Sequence, residues 1–376
     1  MSFDFDVCIR GDGITGCAQA LALARQGLRV VLVAPPNPQG EADVRAYSLN
    51  ASARQLLASL GAWPEAAATP VQRMAVWGDD GGQIGFDGPA GQPLSWIVDV
   101  PPLLDLLRQC VANEAGITLL PSAPQAELTV VCEGKASHSR DAWGLEFQRQ
   151  PYDQHALAFR VRHERPHGQC ARQWFVGHGS QATILALLPL GDPHSSAVVW
   201  SLPPPLAQAR REQDATLIEP VLMQQTAGEL GALSLISGRA VWPLQSAQAR
   251  HWSGIAPDGS AFVLVGDAAH TIHPLAGLGL NLGLDDVACL AHVLGQRQRQ
   301  GRLSGVADPR LLREYERQRK LALAVVNAAC DGLQTLYAHP SPLARWLRNS
   351  GLSCVNRMDF FKRWTMAQAT HLDIAT

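Results

Sequence analysis

Residues 5–35 read FDVCIRGDGITGCAQALALARQGLRVVLVAP and divide at their glycines into strand, turn, helix and strand. FDVCI is a short apolar run, the pattern of a strand buried on both faces. Gly11-Asp12-Gly13-Ile14-Thr15-Gly16 is the turn. From Cys17 to Gln26 apolar residues recur at helical spacing, Gly27 supplies a C-cap, and LRVVLVA forms the second strand. This is a βαβ opening that suits a dinucleotide. Gly11 permits the tight turn, Gly13 lets the backbone approach a pyrophosphate, and Gly16 allows close helix–strand contact. The helix N-terminus, at Ile14 and Thr15, aims its N–H groups at the phosphates. A lone Gly-x-Gly-x-x-Gly says little, but between a strand and a helix it is informative. Two positions break the pattern. The acid that commonly ends the second strand is replaced by Ala34, with Glu41 beyond it, and Asp12 puts a carboxylate inside the phosphate turn. Facing inward, that carboxylate repels a pyrophosphate; facing solvent, it costs little.

Further strands of the same buried type are expected at 28–33, 117–120, 128–132 and 262–266, beside 5–9. Between them the character changes. Residues 73–98 alternate short apolar runs with Gly, Asp and Pro, as antiparallel hairpins do. A helix is expected from Pro102 to Ala115, strands from Tyr152 to Trp242 with one helix near 207–231, and helices after Asn281 broken at Pro309, Pro340 and Pro342. The expected fold is α/β. A discontinuous Rossmann-like dinucleotide-binding domain (1–72, 99–150 and 255–300) is interrupted by a substrate domain with an antiparallel sheet (73–98 and 151–254). A C-terminal helical region follows at 301–376.

Composition narrows the function. The chain has 376 residues, 47% hydrophobic and 17% charged, with Lys+Arg 31 against Asp+Glu 33 for a net charge of −2. That balance argues against a nucleic-acid partner, which needs an excess of positive charge. Eight scattered cysteines with no C-x-x-C pair read as reduced thiols of a cytoplasmic protein, and no metal-ligand spacing occurs. No apolar run reaches the roughly 18 residues of a membrane span.

The second motif lies far along the chain. Gly266-Asp267-Ala268-Ala269-His270 ends a strand, and Pro274, Gly277, Leu278, Gly279, Leu280 and Asn281 follow in the pattern Pro-x-x-Gly-x-Gly-x-Asn. An acid at a strand end can accept hydrogen bonds from a polyol. The glycine stretch brings bare backbone to a flat ligand and opens a helix, whose N-terminus carries about half a positive charge. Aimed at the N1–C2=O edge of an isoalloxazine, it stabilises a reduced, anionic flavin.

This second motif resembles that of the FAD-dependent group A flavoprotein monooxygenases, and GDAAHTIHPLAGLGLNLGLDDVACL is most similar to the ubiquinone-biosynthesis hydroxylase family. RAYSLN at 45–50, LSWIVD, LALLPL, SAVVWSLP, VWPL and YERQR fall in that family's order, over nearly the whole chain. The resemblance implies a two-domain fold of the p-hydroxybenzoate-hydroxylase type and FAD as cofactor. Gly11, Gly13 and Gly16 would hold the pyrophosphate, Arg45 would reach the FAD, and Gly266 and Asp267 would bind the ribityl chain. Pro274 through Asn281 would line the flavin ring. It also implies NADH or NADPH as co-substrate, O2, and an apolar polyprenylphenol-like substrate. The flavin carries the chemistry, so no protein nucleophile and no metal are expected, and His270 and His273 are read as loop histidines held by packing. The chain departs from the family at Ala34, at Glu133 in a middle motif Glu133-Gly134-Lys135-Ala136-Ser137-His138-Ser139-Arg140, at Pro102, at Leu278, and in the short PSAPQAE link. These departures leave two alternatives open: a flavin-poor scaffold or lipid-binding partner in a biosynthetic assembly, and an FAD reductase of the same fold. The segment from Asn356 to Leu372 mixes aromatic and basic residues. A helix docked on the body is the preferred reading and a weak contact with the surface of the inner membrane the other. A homo-oligomer or biosynthetic complex stays open.

Overall fold

The computed structural model describes residues 3–34, 43–78, 82–88, 91–177, 183–272, 279–299 and 305–338. The chain begins β1 (Phe5–Arg10), α1 (Ile14–Ala24), β2 (Val30–Val33), β3 (Ala46–Leu49), α2 (Ala51–Ser59), β4 (Ala68–Val71), β5 (Arg73–Trp77), β6 (Gln83–Asp87) and β7 (Ser95–Asp99). It continues with α3 (Val100–Asn113), β8 (Ile117–Leu120), β9 (Ala126–Val131), α4 (His138–Ala142), β10 (Phe147–His163), β11 (Cys170–Val176), β12 (Thr183–Pro189) and β13 (Ser195–Leu202). Then come α5 (Pro204–Glu212), α6 (Ala215–Gln225), β14 (Leu233–Leu235), β15 (Ala240–Ala249), β16 (Ser253–Ile255), β17 (Ala261–Leu264), β18 (His270–Thr271), α7 (Gly279–Arg299) and α8 (Pro309–Ala338).

The first sheet has the order β16-β17-β9-β1-β2-β8. Every pair in it is parallel except β16 with β17. Its five parallel strands are those expected from the apolar runs. Val7, Ile9, Val30 and Val130 on one face and Cys8, Val31, Val131 and Leu264 on the other are all buried, so both faces of the sheet are covered. The helix α1 lies on one face between α3 and α7.

A second sheet runs β18-β15-β10-β13-β12-β11-β5-β6, with β14 beside β10. Leu157, Phe159, Val161, Trp174, Leu185, Val198 and Trp200 on one of its faces pack with Ala207 of α5 and Ile218 and Leu222 of α6. A third, small sheet is β3-β7-β4. Thus β5 and β6 enter the large sheet, whereas β7 pairs with β3 and β4.

The helix expected near 207–231 is two helices. Glu212 ends α5, and the Asp214 carboxylate accepts the Thr216 N–H at 2.9 Å to start α6. The helix expected from Pro102 begins at Val100, with proline in its first turn. Among the described residues no helix is long and apolar enough to cross a membrane, and Cys8, Cys17, Cys110, Cys132, Cys170 and Cys289 are free thiols. Pro340, Pro342 and the segment from Asn356 to Leu372 lie outside the described residues, as do Glu41, His273, Pro274, Gly277 and Leu278.

Candidate active site

At the end of β1 the two packing glycines of the turn have different neighbours. Gly11 has φ +104°, and a Cβ there would lie 2.6 Å from the Cys132 carbonyl oxygen. A Cβ on Gly16 would lie 1.8 Å from the Gly11 carbonyl oxygen. Neither position can carry a side chain without breaking the turn. Gly13 differs: a Cβ there would meet nothing within 4 Å. The first internal amide bond of α1 runs from Cys17 N–H to Gly13 O at 2.9 Å. The amides of Ile14, Thr15 and Gly16 therefore have no helical acceptor, no side chain caps them, and no acid stands in the first turn. Unspent donors beneath an open face suit a pyrophosphate.

Asp12, partly exposed, has a cationic partner. Its Oδ2 accepts from an Arg108 Nη at 2.7 Å, so the carboxylate turns toward α3.

The second motif meets the first. Gly266 has φ +64°, and a Cβ there would lie 3.2 Å from Thr15 Cγ2. On α7, a Cβ at Gly283 would lie 3.3 Å from Thr15 Oγ1. The start of α1, the end of β17 and the first turns of α7 thus converge. Asp267 is half-buried there, and burial holds its carboxyl above the usual range despite Lys135, His270 and Arg45 nearby. Among the described residues no donor is hydrogen-bonded to it. An acceptor with unspent lone pairs at this place fits a polyol chain.

The remaining site candidates have protein partners. Arg45 lies in a two-point pair with Asp43, Nε to Oδ1 at 2.8 Å and Nη2 to Oδ2 at 2.6 Å, while its charge reaches Asp267 and Tyr47. Asn281 is buried. Its Oδ1 accepts the Asn50 N–H at 2.9 Å and its Nδ2 donates to Ser48 O at 2.8 Å. The side chain therefore straps the start of α7 to the β3–α2 junction, leaving Gly279 and Leu280, both half-buried, at the first turn of α7. Ala34 continues the strand, its N–H bonded to Leu120 O, and brings no acid.

The middle motif works as scaffold. Glu133 accepts from Ser137 Oγ at 2.7 Å, Ser139 N–H at 2.8 Å and Ser139 Oγ at 2.8 Å. Its extra methylene is absorbed by this local ring of donors. Arg140 is fully buried over the Phe147 ring and donates to Lys135 O at 2.8 Å and to Ala268 O at 3.2 Å, so it holds the Asp267 turn from behind.

A network that sequence reading missed holds the same turn from the other side. Asp286, fully buried, accepts from Gly266 N–H at 2.9 Å, pairs with His270 Nε2 at 2.7 Å, and accepts from Arg319 Nε at 2.6 Å. Its carboxyl is held below the usual range: burial pushes it up, but His270 and Arg319 outweigh that. Neighbouring Asp285, 4.0 Å from Arg319, is pushed up to about 6 by burial. His270 stacks on Trp252, with centroids 4.9 Å apart. It is a packed histidine at the start of β18 and not in a loop as expected, and among the described residues no cluster could hold a metal ion. The signal was the acid pair of LGLDD together with an arginine in YERQR, neither of which points to the other in sequence.

The open face of the large sheet offers a second element. Ala158, Val199, Ala186, Gln173, Val76 and Ile84 are register partners across six strands. Ser201, Ile184 and Phe175 form the neighbouring row. Val199, Ala186, Val76, Ile184 and Phe175 are only half-buried. This low, apolar surface lies opposite the face that α5 and α6 cover, and suits a flat or chain-like apolar molecule. Beside it a cleft of about 360 Å³ includes Arg160, paired with Asp99 at 2.8 Å, and Asp192.

Comparison with known proteins agrees with this geometry. A family model described as FAD binding domain matches residues 122–329, more than half of the chain. The chain is 29% identical over 397 residues to the ubiquinone hydroxylase UbiL of Rhodospirillum rubrum, covering 97% of this chain and 89% of that one. It is 28% identical over 398 residues to the 3-demethoxyubiquinol 3-hydroxylase of Escherichia coli, covering 98% of each. Among solved structures, PqsL, a probable FAD-dependent monooxygenase from Pseudomonas aeruginosa, superposes with a TM-score of 0.72 at 21% identity, covering 93% of this chain and 99% of its own. The p-nitrophenol 4-monooxygenase PnpA of Pseudomonas putida gives 0.71 at 18% identity, covering 94% of each.

Proposed function

The chain belongs to the FAD binding domain family, and on that premise we propose that it is an FAD-dependent monooxygenase that hydroxylates a lipophilic quinone precursor in ubiquinone biosynthesis, with NADH or NADPH as reductant. The observation that carries the proposal is the convergence of Thr15, Gly266 and Gly283 on one place, in a chain alike over nearly its full length to two ubiquinone-ring hydroxylases. Gly11 and Gly16 shape the turn, and the amides of Ile14, Thr15 and Gly16 hold the pyrophosphate above Gly13. Asp267 accepts the ribityl hydroxyls, and Gly279 and Leu280 present the start of α7 to the flavin ring. FAD, when bound, supplies the redox chemistry that activates O2. The protein binds, orients and excludes water, so no side-chain nucleophile is required. The apolar rows from Ala158 to Ile84 and from Ser201 to Phe175 receive the substrate. The same proposal makes the enzyme cytoplasmic and peripheral to the membrane in which such lipids dissolve.

Absorbance of the purified protein tests the cofactor, and NAD(P)H oxidation stimulated by a short-chain demethoxyubiquinol, with a hydroxylated product, tests the reaction. Asp267→Ala is expected to lose flavin while keeping the unfolding temperature of the flavin-free wild type. Losing hydrogen bonds to a charged acceptor costs about 1.5–3 kcal/mol each, or roughly 10- to 150-fold in Kd. A colourless protein that added FAD leaves without a saturable signal overturns the proposal, and unchanged flavin content in Asp267→Ala overturns the ribityl assignment.

A further inference from the structure

The phosphate turn carries an acid where a polyanion is to be held, and one cation faces it. Asp12 stands between Gly11 and Gly13, and its carboxylate receives the Arg108 guanidinium at 2.7 Å across 96 residues of sequence. Among the described residues this is the one hydrogen bond that the Arg108 side chain makes. The helix α3 buries Val100, Leu103, Leu107 and Val111, a stripe that docks it without Arg108. Both partners of the pair are about one-third exposed (Arg108 37%, Asp12 27%), so the packed core does not require the pair. Its position, beside the open face over Gly13 and the free amides of α1, is where a fixed negative charge does most harm to a bound pyrophosphate.

We propose that Arg108 is a positioning residue of the FAD site, which cancels the charge of Asp12 and turns its carboxylate toward α3, so that this phosphate turn accepts a pyrophosphate. The pair rests on the FAD reading above and adds to it a residue from α3. It follows that the value of Arg108 depends on Asp12. Without the acid, the arginine has little left to do.

The test is a double-mutant cycle on apo-protein reconstituted with FAD, read as Kd from flavin fluorescence at low and high salt. Arg108→Gln is expected to weaken FAD roughly ten-fold at low salt, in line with a charge contact at a partly exposed site. Asp12→Asn is expected to stay within about two-fold of wild type, and Asp12→Asn with Arg108→Gln to recover most of the loss. Arg108→Lys, which keeps the charge, is expected to bind within about three-fold of wild type. The penalty of Arg108→Gln is expected to shrink at 0.5 M salt, on the order of a Debye length of 4 Å. A loss from Arg108→Gln that is equal with and without Asp12→Asn, or no loss from Arg108→Gln, overturns the pair while FAD binding stands. A wild-type protein that takes up no FAD overturns both.

Discussion

Replacing Asp286 by alanine removes the acceptor shared by the Gly266 N–H, His270 and Arg319. Arg319 cannot shed its charge. Its guanidinium, 9% exposed, would be left with Leu282 O at 3.2 Å and Asp285 at 4.0 Å. Breaking a buried pair from one side costs about 3–5 kcal/mol. At about 2–4 °C per kcal/mol, the unfolding temperature should fall by about 6–20 °C. Arg319→Ala should cost less, because Asp286 keeps Gly266 and His270 as donors. Changing both to leucine and methionine should recover much of the loss, since an apolar pair needs no desolvation. Thermal unfolding followed by circular dichroism, with the flavin released at each temperature measured in parallel, reads all three variants. The Gly266–Asp267 turn hangs from Asp286, so flavin release should precede unfolding in Asp286→Ala. An Asp286→Ala protein within about 1 kcal/mol of wild type, or an Arg319→Ala protein less stable than it, would refute the reasoning.

The two glycines of the phosphate turn should separate binding from folding. Gly13→Ala is expected to unfold like wild type yet bind FAD at least ten-fold more weakly, because its methyl group enters the open face. Gly16→Ala should lose stability outright, since its Cβ falls 1.8 Å from the Gly11 carbonyl oxygen. Denaturant melts and flavin titrations of the two variants would show the split; matching losses in both assays would deny it. Asp285 sets a pH dependence. Its carboxyl is raised to about 6 in the folded chain against 3.8 for an ordinary aspartate, so the folded state holds the proton more tightly. Its contribution is fully present below about pH 4 and is lost as pH rises through 6, by at most about 3 kcal/mol. Asp285→Asn should therefore gain on wild type between pH 4.5 and 7.5 in urea denaturation, and parallel profiles would count against the assignment.

The parallel sheet was legible because β1, β2, β9 and β17 lie in its buried layers and so read as unbroken apolar runs, while the edge strand β8 is apolar in sequence (ITLL) although Leu119 is half exposed. The alternating strands were harder. The short apolar run of SWIVD identifies a strand but not its partner, and β7 joined β3 and β4. The helix near 207–231 hid its break because α5 and α6 are both amphipathic, and the cap at Asp214 marks the restart only once its carboxylate is seen on Thr216. In the candidate site, the positive φ of Gly11 and the contact of Gly16 with the Gly11 carbonyl were readable because both demands are local to the turn. Asn281 was named for the flavin, yet its side chain is committed to Ser48 and Asn50, more than 230 residues away. Asp12 with Arg108, and Asp286 with Arg319, share the same difficulty: a charge in sequence does not declare which distant charge it will meet.

The placement of β17 has a consequence for synthesis. β17 fills the slot beside β9, and it is the last parallel strand of its sheet to be made. A ribosome adding about 5–20 residues per second emits β9 several seconds earlier. Throughout that interval β9 offers an unpaired row of amides and carbonyls to any neighbouring chain. Nascent chains of this protein are accordingly expected to need chaperone cover until residue 264 has emerged, and fragments that stop short of it should aggregate.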